Sequence, residues 1–368
     1  MRPFASMRRL AAAIPLLFAF YAGVSHGAEM SDINLLATAS SVLVRPASAV
    51  LLSVSAAGKR LVACGEGGVV VISDDDGQTW KQVAMPVSVA LTRVRFTPSG
   101  AGWILGHGGV VLRSDDQGTS WRLVMTGVHA AQIELDAAKA EIKAGRRDAQ
   151  KHLAAAEALV ADGPDKPFFD IYFADANTGI LIGAFGLLYG STDGGKTWES
   201  WRERLNNPQG KHLYEVQALG DSFFIVGEQG AVYQSTDRLK TFKERKTPYV
   251  GTYFGALSKG DKLFLAYGLR GNAFASHDLG ATWEKIDLGQ PITVTSGTQL
   301  EDGRLVLVDE SGRVLVSDVD GEKFKAIELP QRFPFVGVTQ NKAGGITLAG
   351  VRGVMTVSRE KLVVDSKK

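Results

Sequence analysis

The sequence predicts an all-β fold, a seven-bladed β-propeller with an inserted α-helical hairpin between blades 2 and 3. Three observations predict it. A serine closes a short apolar strand seven times, at Ser73, Ser114, Ser191, Ser235, Ser276, Ser317 and Ser358. The intervals are 41, 77, 44, 41, 41 and 41 residues, so one is long by 77 − 41 = 36. A Gly-x-x-Gly quartet precedes the serine in six units, at Gly65, Gly106, Gly183, Gly227, Gly268 and Gly350, and only Gly312 survives in the sixth unit. A period near 41 marks one supersecondary unit repeated in space, each unit unable to bury its own core.

The N-terminus is a separate object. Arg2, Arg8 and Arg9 precede an apolar run from Leu10 to Val24, which ends in Ser25-His26-Gly27-Ala28. A basic start, an apolar run and a small-residue exit read as a secretory signal peptide over 1–27. The run contains Pro15 and is short for a membrane span. An uncleaved anchor is the alternative. The expected product is exported and periplasmic, with no membrane span after cleavage. The chain has 41 basic and 39 acidic residues, and the leader removes three arginines, leaving 38 − 39 = −1. A near-neutral mature chain argues against nucleic acid as a partner. Residues 28–45 form an N-terminal extension and a candidate ring-closing strand. The propeller then occupies 46–368.

The single cysteine, Cys64, lies in the apolar strand Leu61 to Cys64 and reads as a buried small hydrophobe. No intramolecular disulfide is available.

The fourth unit shows the blade. Tyr214 to Leu219 is a strand, Gly220-Asp221 a turn, Ser222 to Gly227 a second strand and Glu228-Gln229-Gly230 a tight turn. Ala231 to Gln234 is a third strand and Thr241 to Arg245 a fourth. Four short strands with turn residues at fixed offsets make one antiparallel sheet. Radial repetition leaves only short edges.

The turn between the third and fourth strands carries Ser-x-Asp-x-Gly-x-Thr-Trp. It is complete at Ser73, Asp75, Gly77, Trp80, at Ser191, Asp193, Gly195, Trp198 and at Ser276, Asp278, Gly280, Trp283. Ser114, Asp116, Gly118, Trp121 differs by Ser120 in place of threonine. Unit four keeps Ser235 and Asp237 but has Leu239, and unit six loses the acid to Val319. Ser and Asp side chains accept bonds from amides in their own turn, and tryptophan covers it. The motif resembles the Asp-box, or BNR repeat. In families that carry it, that resemblance implies a structural role. The glycine quartets read as hairpin turns needing positive φ. No helix follows them, so they are not phosphate loops.

The extra residues, 128–163, are rich in Ala, Glu, Lys and Gln and read as two helices, His129 to Ala144 and Arg146 to Ala161. Ile133, Ala137, Ala140 and Ala144 are the expected buried stripe of the first, facing Leu153, Ala156 and Val160. The hairpin reads either as packed on itself or as an arm projecting towards a partner.

Topology assigns the ends. Asp-box turns lie at one end of the propeller. Glycine turns and blade-to-blade crossovers, including the hairpin, lie at the other. That second face is the candidate partner-binding face. Its turns offer Glu66, His107, Glu228, Arg270, Glu310 and Arg352. Its crossovers add Arg204, His212, Tyr249, Tyr253, Arg332 and Phe333. Mixed charge with exposed aromatics suits protein recognition.

No catalytic, cofactor-binding or metal-binding residue is expected. Sialidase-type chemistry needs converging arginines and a Tyr–Glu pair, and only Val44-Arg45-Pro46 echoes such families. Asp74-Asp75-Asp76-Gly77 lacks the later bidentate glutamate of a calcium loop, and the histidines have no zinc spacing.

Gly-x-x-Gly, a short strand and Ser191 to Trp198, repeated in seven units, resemble the photosystem II assembly and stability factor family over about Pro46 to Asp365. The resemblance implies a non-enzymatic exported or lumenal chaperone for membrane-protein subunits, with an arginine patch echoed at Arg270 and Arg352. It also implies, in non-photosynthetic bacteria, a periplasmic accessory of a resistance-nodulation-division (RND) transporter. That version is the favoured expectation, with a membrane-protein complex or transporter subunit as partner and a monomer when free. The alternatives are a photosystem-type assembly factor, a sialidase-like glycoside hydrolase and a propeller lectin.

Overall fold

The computed structural model describes residues 34–362, so the leader expected over 1–27 lies outside them. Within them seven antiparallel sheets follow one another along the chain, six of four strands and a last one of three. Blade four is Leu213–Leu219, Ser222–Gly227, Val232–Ser235 and Lys243–Glu244, paired in that order. The second strands dictate the ring. Gly102–Gly106, Gly179–Gly183, Ser222–Gly227 and Leu263–Gly268 are buried along their whole length. Each sheet is therefore apolar on both faces and needs a neighbour on each side.

Apolar clusters among the described residues fill every seam between consecutive blades. Val62 and Val70 of blade one meet Ile104 and Leu112 of blade two. Phe224 stacks on Phe264 at 4.3 Å across the seam between blades four and five. The seam joining blade seven to blade one is the thinnest. Its buried members among the described residues are Leu51, Val54, Ala63, Val69, Val71 and Ala349.

The glycine quartets are fixed more by proximity than by turn type. Positive φ is confined to their third and fourth positions, whereas the first glycine is extended, with φ −170° at Gly65. A Cβ on Gly65 would lie 2.0 Å from the Val50 carbonyl oxygen, and one on Gly227 2.2 Å from that of His212. The end of each second strand thus presses on the backbone that leads into its own inner strand. The fourth glycine presses on the crossover to the next blade. A Cβ on Gly230 would lie 1.8 Å from the Tyr249 carbonyl oxygen, and one on Gly271 2.4 Å from that of Gln290.

Blade seven has no blade after it, yet a Cβ on Gly353 would lie 1.9 Å from the Ala47 carbonyl oxygen. The 3-10 turn Pro46–Ser48 therefore stands where a crossover stands elsewhere. The ring closes by this contact and by packing of Phe335–Gln340 against Leu51–Ala57. The closing strand expected within residues 28–45 does not form in their described part, 34–45, which runs along blade one. There Ser40 N donates to Met85 O at 3.0 Å and Ser88 N to Leu35 O at 2.9 Å. The described chain ends in a 3-10 turn, Arg359–Leu362, with Leu362 buried against blades six and seven.

The Asp-box closes as its chemistry requires. Gly77 N donates to Ser73 Oγ at 2.8 Å, Thr79 N to Asp75 Oδ1 at 2.9 Å and Trp80 Nε1 to Gly77 O at 3.1 Å. Ser191 and Asp193 repeat this with Gly195 and Thr197, and Ser276 and Asp278 with Gly280 and Thr282. Ser114 and Asp116 do so with Gly118 and Ser120. In blade four Leu239 takes the glycine place with φ 66° and still donates its amide to Ser235 Oγ at 2.9 Å. Blade six keeps its acid one residue earlier than the motif. Asp318 Oδ1 accepts from Gly321 N at 2.9 Å and Glu322 N at 3.0 Å.

Two outcomes follow from this turn. Ser191→Ala removes the acceptor for Gly195 N and is expected to lower stability by about 1–2 kcal/mol, read as a lower urea midpoint at constant slope. The second concerns acid. The Thr79 and Thr282 hydroxyls, then backbone amides, hold Asp75 and Asp278 at about 2. A depressed carboxylate contributes stability above its unfolded value of about 3.9, and loses it as pH falls through the folded value. The melting temperature is expected to fall between about pH 4 and pH 2, and Asp→Asn at both positions to flatten that fall.

Candidate functional site

The hairpin consists of α1 (Gly127–Lys143) and α2 (Ala149–Asp162). Thr126 caps α1 by accepting from His129 N. The buried face of α1 is Ala130, Ala131, Glu134 and Ala138, while Ala140 and Ala144 of the expected stripe are exposed. Val160 of the expected α2 stripe is 44 % exposed. The reason is what α1 packs on. Tyr189 Oη donates to Ala130 O at 3.1 Å, and Arg202 reaches Glu134 at 2.9 Å and Glu141 at 2.8 Å. The hairpin therefore lies on the outer edge of blade three, neither packed on itself alone nor projecting freely. His152 Nδ1 meets Glu141 Oε2 at 2.6 Å and ties α2 to α1. Burial pushes the Glu134 carboxyl up, although Arg202 opposes it. Burial also acts against the Glu141 charge, but its bonds to His152 and Arg202 win and hold it below the usual range.

The base of the hairpin sits at the glycine-turn end. A Cβ on Gly109 would lie 2.5 Å from Gly127, and one on Gly108 3.3 Å from Pro164 O. Glu66, His107, Arg270, Glu310, Arg332 and Arg352 are all exposed at this end. Glu228 is half-buried, and its Oε2 accepts from His212 N at 2.6 Å. Glu310 Oε1 accepts from Thr293 N at 3.1 Å in the same way, so these two acids brace the start of an inner strand. Among the described residues no ion pair holds Arg270, Arg332 or Arg352. Two expected surface aromatics are instead buried, since Tyr253 opens the inner strand of blade five and the crossover at Phe333 drops into a seam. Tyr253 lies between blades four and five, and Phe333 packs on Phe335 at 4.6 Å. Arg204 lies over the Trp201 ring at 3.5 Å.

Sequence reasoning passed over two groups. The first is an aromatic line at the starts of three inner strands. Phe169 stacks on Tyr214 at 4.9 Å, and Tyr214 meets Phe254 edge-on at 5.2 Å. All three are half-buried, at the position where each inner strand bulges against its second strand. His212 and the exposed Phe185 extend the line outward at 4.9 Å. An aromatic at the second inner-strand position in three successive units was the available signal.

The second group is a charge cluster in the central channel. Arg93 bonds Asp170 at 3.1 Å and Glu215 at 2.8 Å, and Arg95 bonds Asp170 at 2.6 Å. Asp170 also accepts from Val216 N at 2.9 Å. Burial works against the Arg93 charge, yet Asp170 and Glu215 outweigh it and hold the guanidinium more firmly protonated. The channel beside it has a volume of about 260 Å³ and small walls at Ser53, Ser296 and Gly337. Charged residues inside otherwise apolar strands were the signal. Cys64 is fully buried, and burial pushes its thiol well up, which leaves it inert.

A family profile described as photosynthesis system II assembly factor YCF48 matches residues 40–115 and 158–244. Over these stretches the chain is similar to that family. The gap between the matched stretches falls on the hairpin. The photosystem II assembly lipoprotein Ycf48 of Synechococcus sp. (strain CC9902) is 26 % identical over 207 residues, which cover 54 % of this chain and 62 % of that relative. YCF48 from Cyanidioschyzon merolae superposes with a TM-score of 0.60 at 13 % identity, over 88 % of this chain and 99 % of that one. A structure of YCF48 bound to D1 peptide gives 0.60 at 14 % identity, over 87 % and 93 %. At such identities the structural likeness speaks to the fold alone. No described helix is long and apolar enough to cross a membrane.

In this propeller the channel cluster joins blades two, three and four. Arg93→Ala leaves buried Asp170 and Glu215 short of a cation. The expected loss is about 3 kcal/mol, measured by urea unfolding, with partial recovery in Arg93→Lys.

Proposed function

We propose that this chain is a non-enzymatic, exported docking factor for assembly of a membrane-protein complex, and that the glycine-turn face holds its client. One observation carries the reading. Unpaired Arg270, Arg332 and Arg352 gather at one end of the propeller with exposed Phe185, Leu269 and Val351. Guanidinium groups beside apolar side chains are the composition of interface hot spots. The YCF48 structure with a bound D1 peptide supports a polypeptide segment as the kind of client. The comparisons favour the photosystem-type assembly factor over the transporter accessory expected from the sequence, since the relatives they name are photosystem II assembly factors. The leader read over 1–27 supports export.

The test is a crosslinking pull-down from membranes with the full chain and with the Arg270→Glu/Arg352→Glu double variant. Client recovery is expected to fall at least about tenfold, the equivalent of about 1.4 kcal/mol. Unchanged recovery clears this face. Mass spectrometry of the captured material separates the clients. Transporter subunits without photosystem subunits would restore the transporter reading.

A further inference from the structure

A groove of about 380 Å³ separates α2 from the glycine turn of blade three. Its walls are apolar, with Ala155 and Leu159 of α2 on one side and Phe185 and Leu187 on the other. Glu134 of α1 lines it as well, and its side chain is only 4 % exposed. Arg202 takes Oε2 of that carboxylate, and the Ser200 hydroxyl lies near, yet Oε1 keeps no donor in hydrogen-bond geometry. A buried acceptor without a donor is a site that a ligand N–H can satisfy.

Charge and shape point the same way. Around the groove the four carboxylates of Glu134, Glu141, Asp162 and Asp165 meet the Arg202 and Lys166 cations, and Glu141 also meets His152. Phe185 stands at the rim, 60 % exposed and with φ 55°. Gly67 and Gly108 occupy that place in blades one and two. A bulky residue held left-handed and exposed is strain of the kind that marks ligand sites. Lys166 Nζ already lies 5.3 Å from the centre of the Phe185 ring, so the ring accepts a cation.

We propose that this groove takes a basic side chain, lysine or arginine, from an exposed segment of the docked client. Its methylene stem lies against Ala155, Leu159 and Leu187, and its cation reaches Oε1 of Glu134. The proposal rests on the docking reading above and adds the chemistry of one client residue.

Pentylammonium chloride is the minimal probe, an apolar stem with one cation, and 1-pentanol is its neutral match. Both are titrated into the full chain while the methyl resonances of Leu159, Leu187 and Leu188 are followed by NMR. Saturable shifts are expected with pentylammonium, with affinity at least about tenfold above pentanol and about tenfold lower in Glu134→Gln. Ala158→Trp fills the groove from an exposed position and is expected to abolish the shifts at an unchanged melting temperature. Equal affinity for pentanol, undiminished binding in Glu134→Gln, or no saturable shift overturns the proposal. If Glu134→Gln loosens the hairpin, Ala158→Trp decides alone, and undiminished binding there is fatal. Client recovery from membranes is measured with Ala158→Trp in parallel. Recovery that is insensitive to Ala158→Trp but lost with Arg270→Glu/Arg352→Glu removes the groove and leaves the docking face. Pentylammonium binding without any client does the reverse.

Discussion

Backbone meets backbone at the base of every blade, and the rest of the propeller depends on that approach. The first glycine of each quartet leaves no space between its second strand and the start of its inner strand, as Gly65 does with Val50. The fourth leaves none between the turn and the crossover, as Gly230 does with Tyr249. A Cβ at either of these glycines would meet that backbone at under 3 Å, so something has to shift. The inner-strand bulges lie at the same level, between Leu213 and Glu215 in blade four for example. Close approach there sets how tightly the blades radiate, and so how narrow the channel is. The Asp-boxes at the other end close their own turns with local bonds, and meet the preceding blade through side chains such as Arg60 and Arg113.

That asymmetry divides the labour between the two ends. Local side-chain bonds consume the polar groups of the Asp-box end, whereas the glycine end leaves its third turn position free to vary. Phe185, Gln229 and Arg270 all occupy it with positive φ. Blades three, four and five thus each present one side chain where blades one and two have glycine. The hairpin adds a wall beside one of these positions, tied to blade three by Arg202 as well as by Tyr189. Arg202 spans two acids of α1, and Glu141 in turn holds His152 of α2. The charge chain runs from blade to first helix to second helix, so the outer wall of the groove is fixed to the propeller through three side chains.

The period, the blade and the end carrying the hairpin were legible because the Asp-box bonds act within five residues and leave a rigid spacing in the sequence. The same rigidity hid the blade-six acid. A pattern that fixes aspartate two residues after serine reads Val319 and passes over Asp318, which serves the turn from one place earlier. Arg93, Asp170 and Glu215 were illegible for a different reason. Their partnership is made only when three inner strands converge, and no local spacing encodes it. The hairpin was plain from composition, but not its buried face. An alanine-rich helix has no single apolar stripe, and the choice fell to Glu134 because Arg202 waits on blade three. Tyr253 and Phe333 looked exposed because both read as crossover residues, yet Tyr253 begins an inner strand and the crossover at Phe333 dips into a seam.

The two ends of the described chain meet at the thinnest seam. Six buried residues and a three-residue turn under Gly353 hold blade seven to blade one, where the seam of blades one and two has fourteen. Cohesion in such a ring is a sum of neighbour terms, so opening one seam leaves the others intact. Tension applied through the two termini loads that joint and no other. Mechanically the molecule is a closed ring with one weak clasp, which parts there before any blade comes apart.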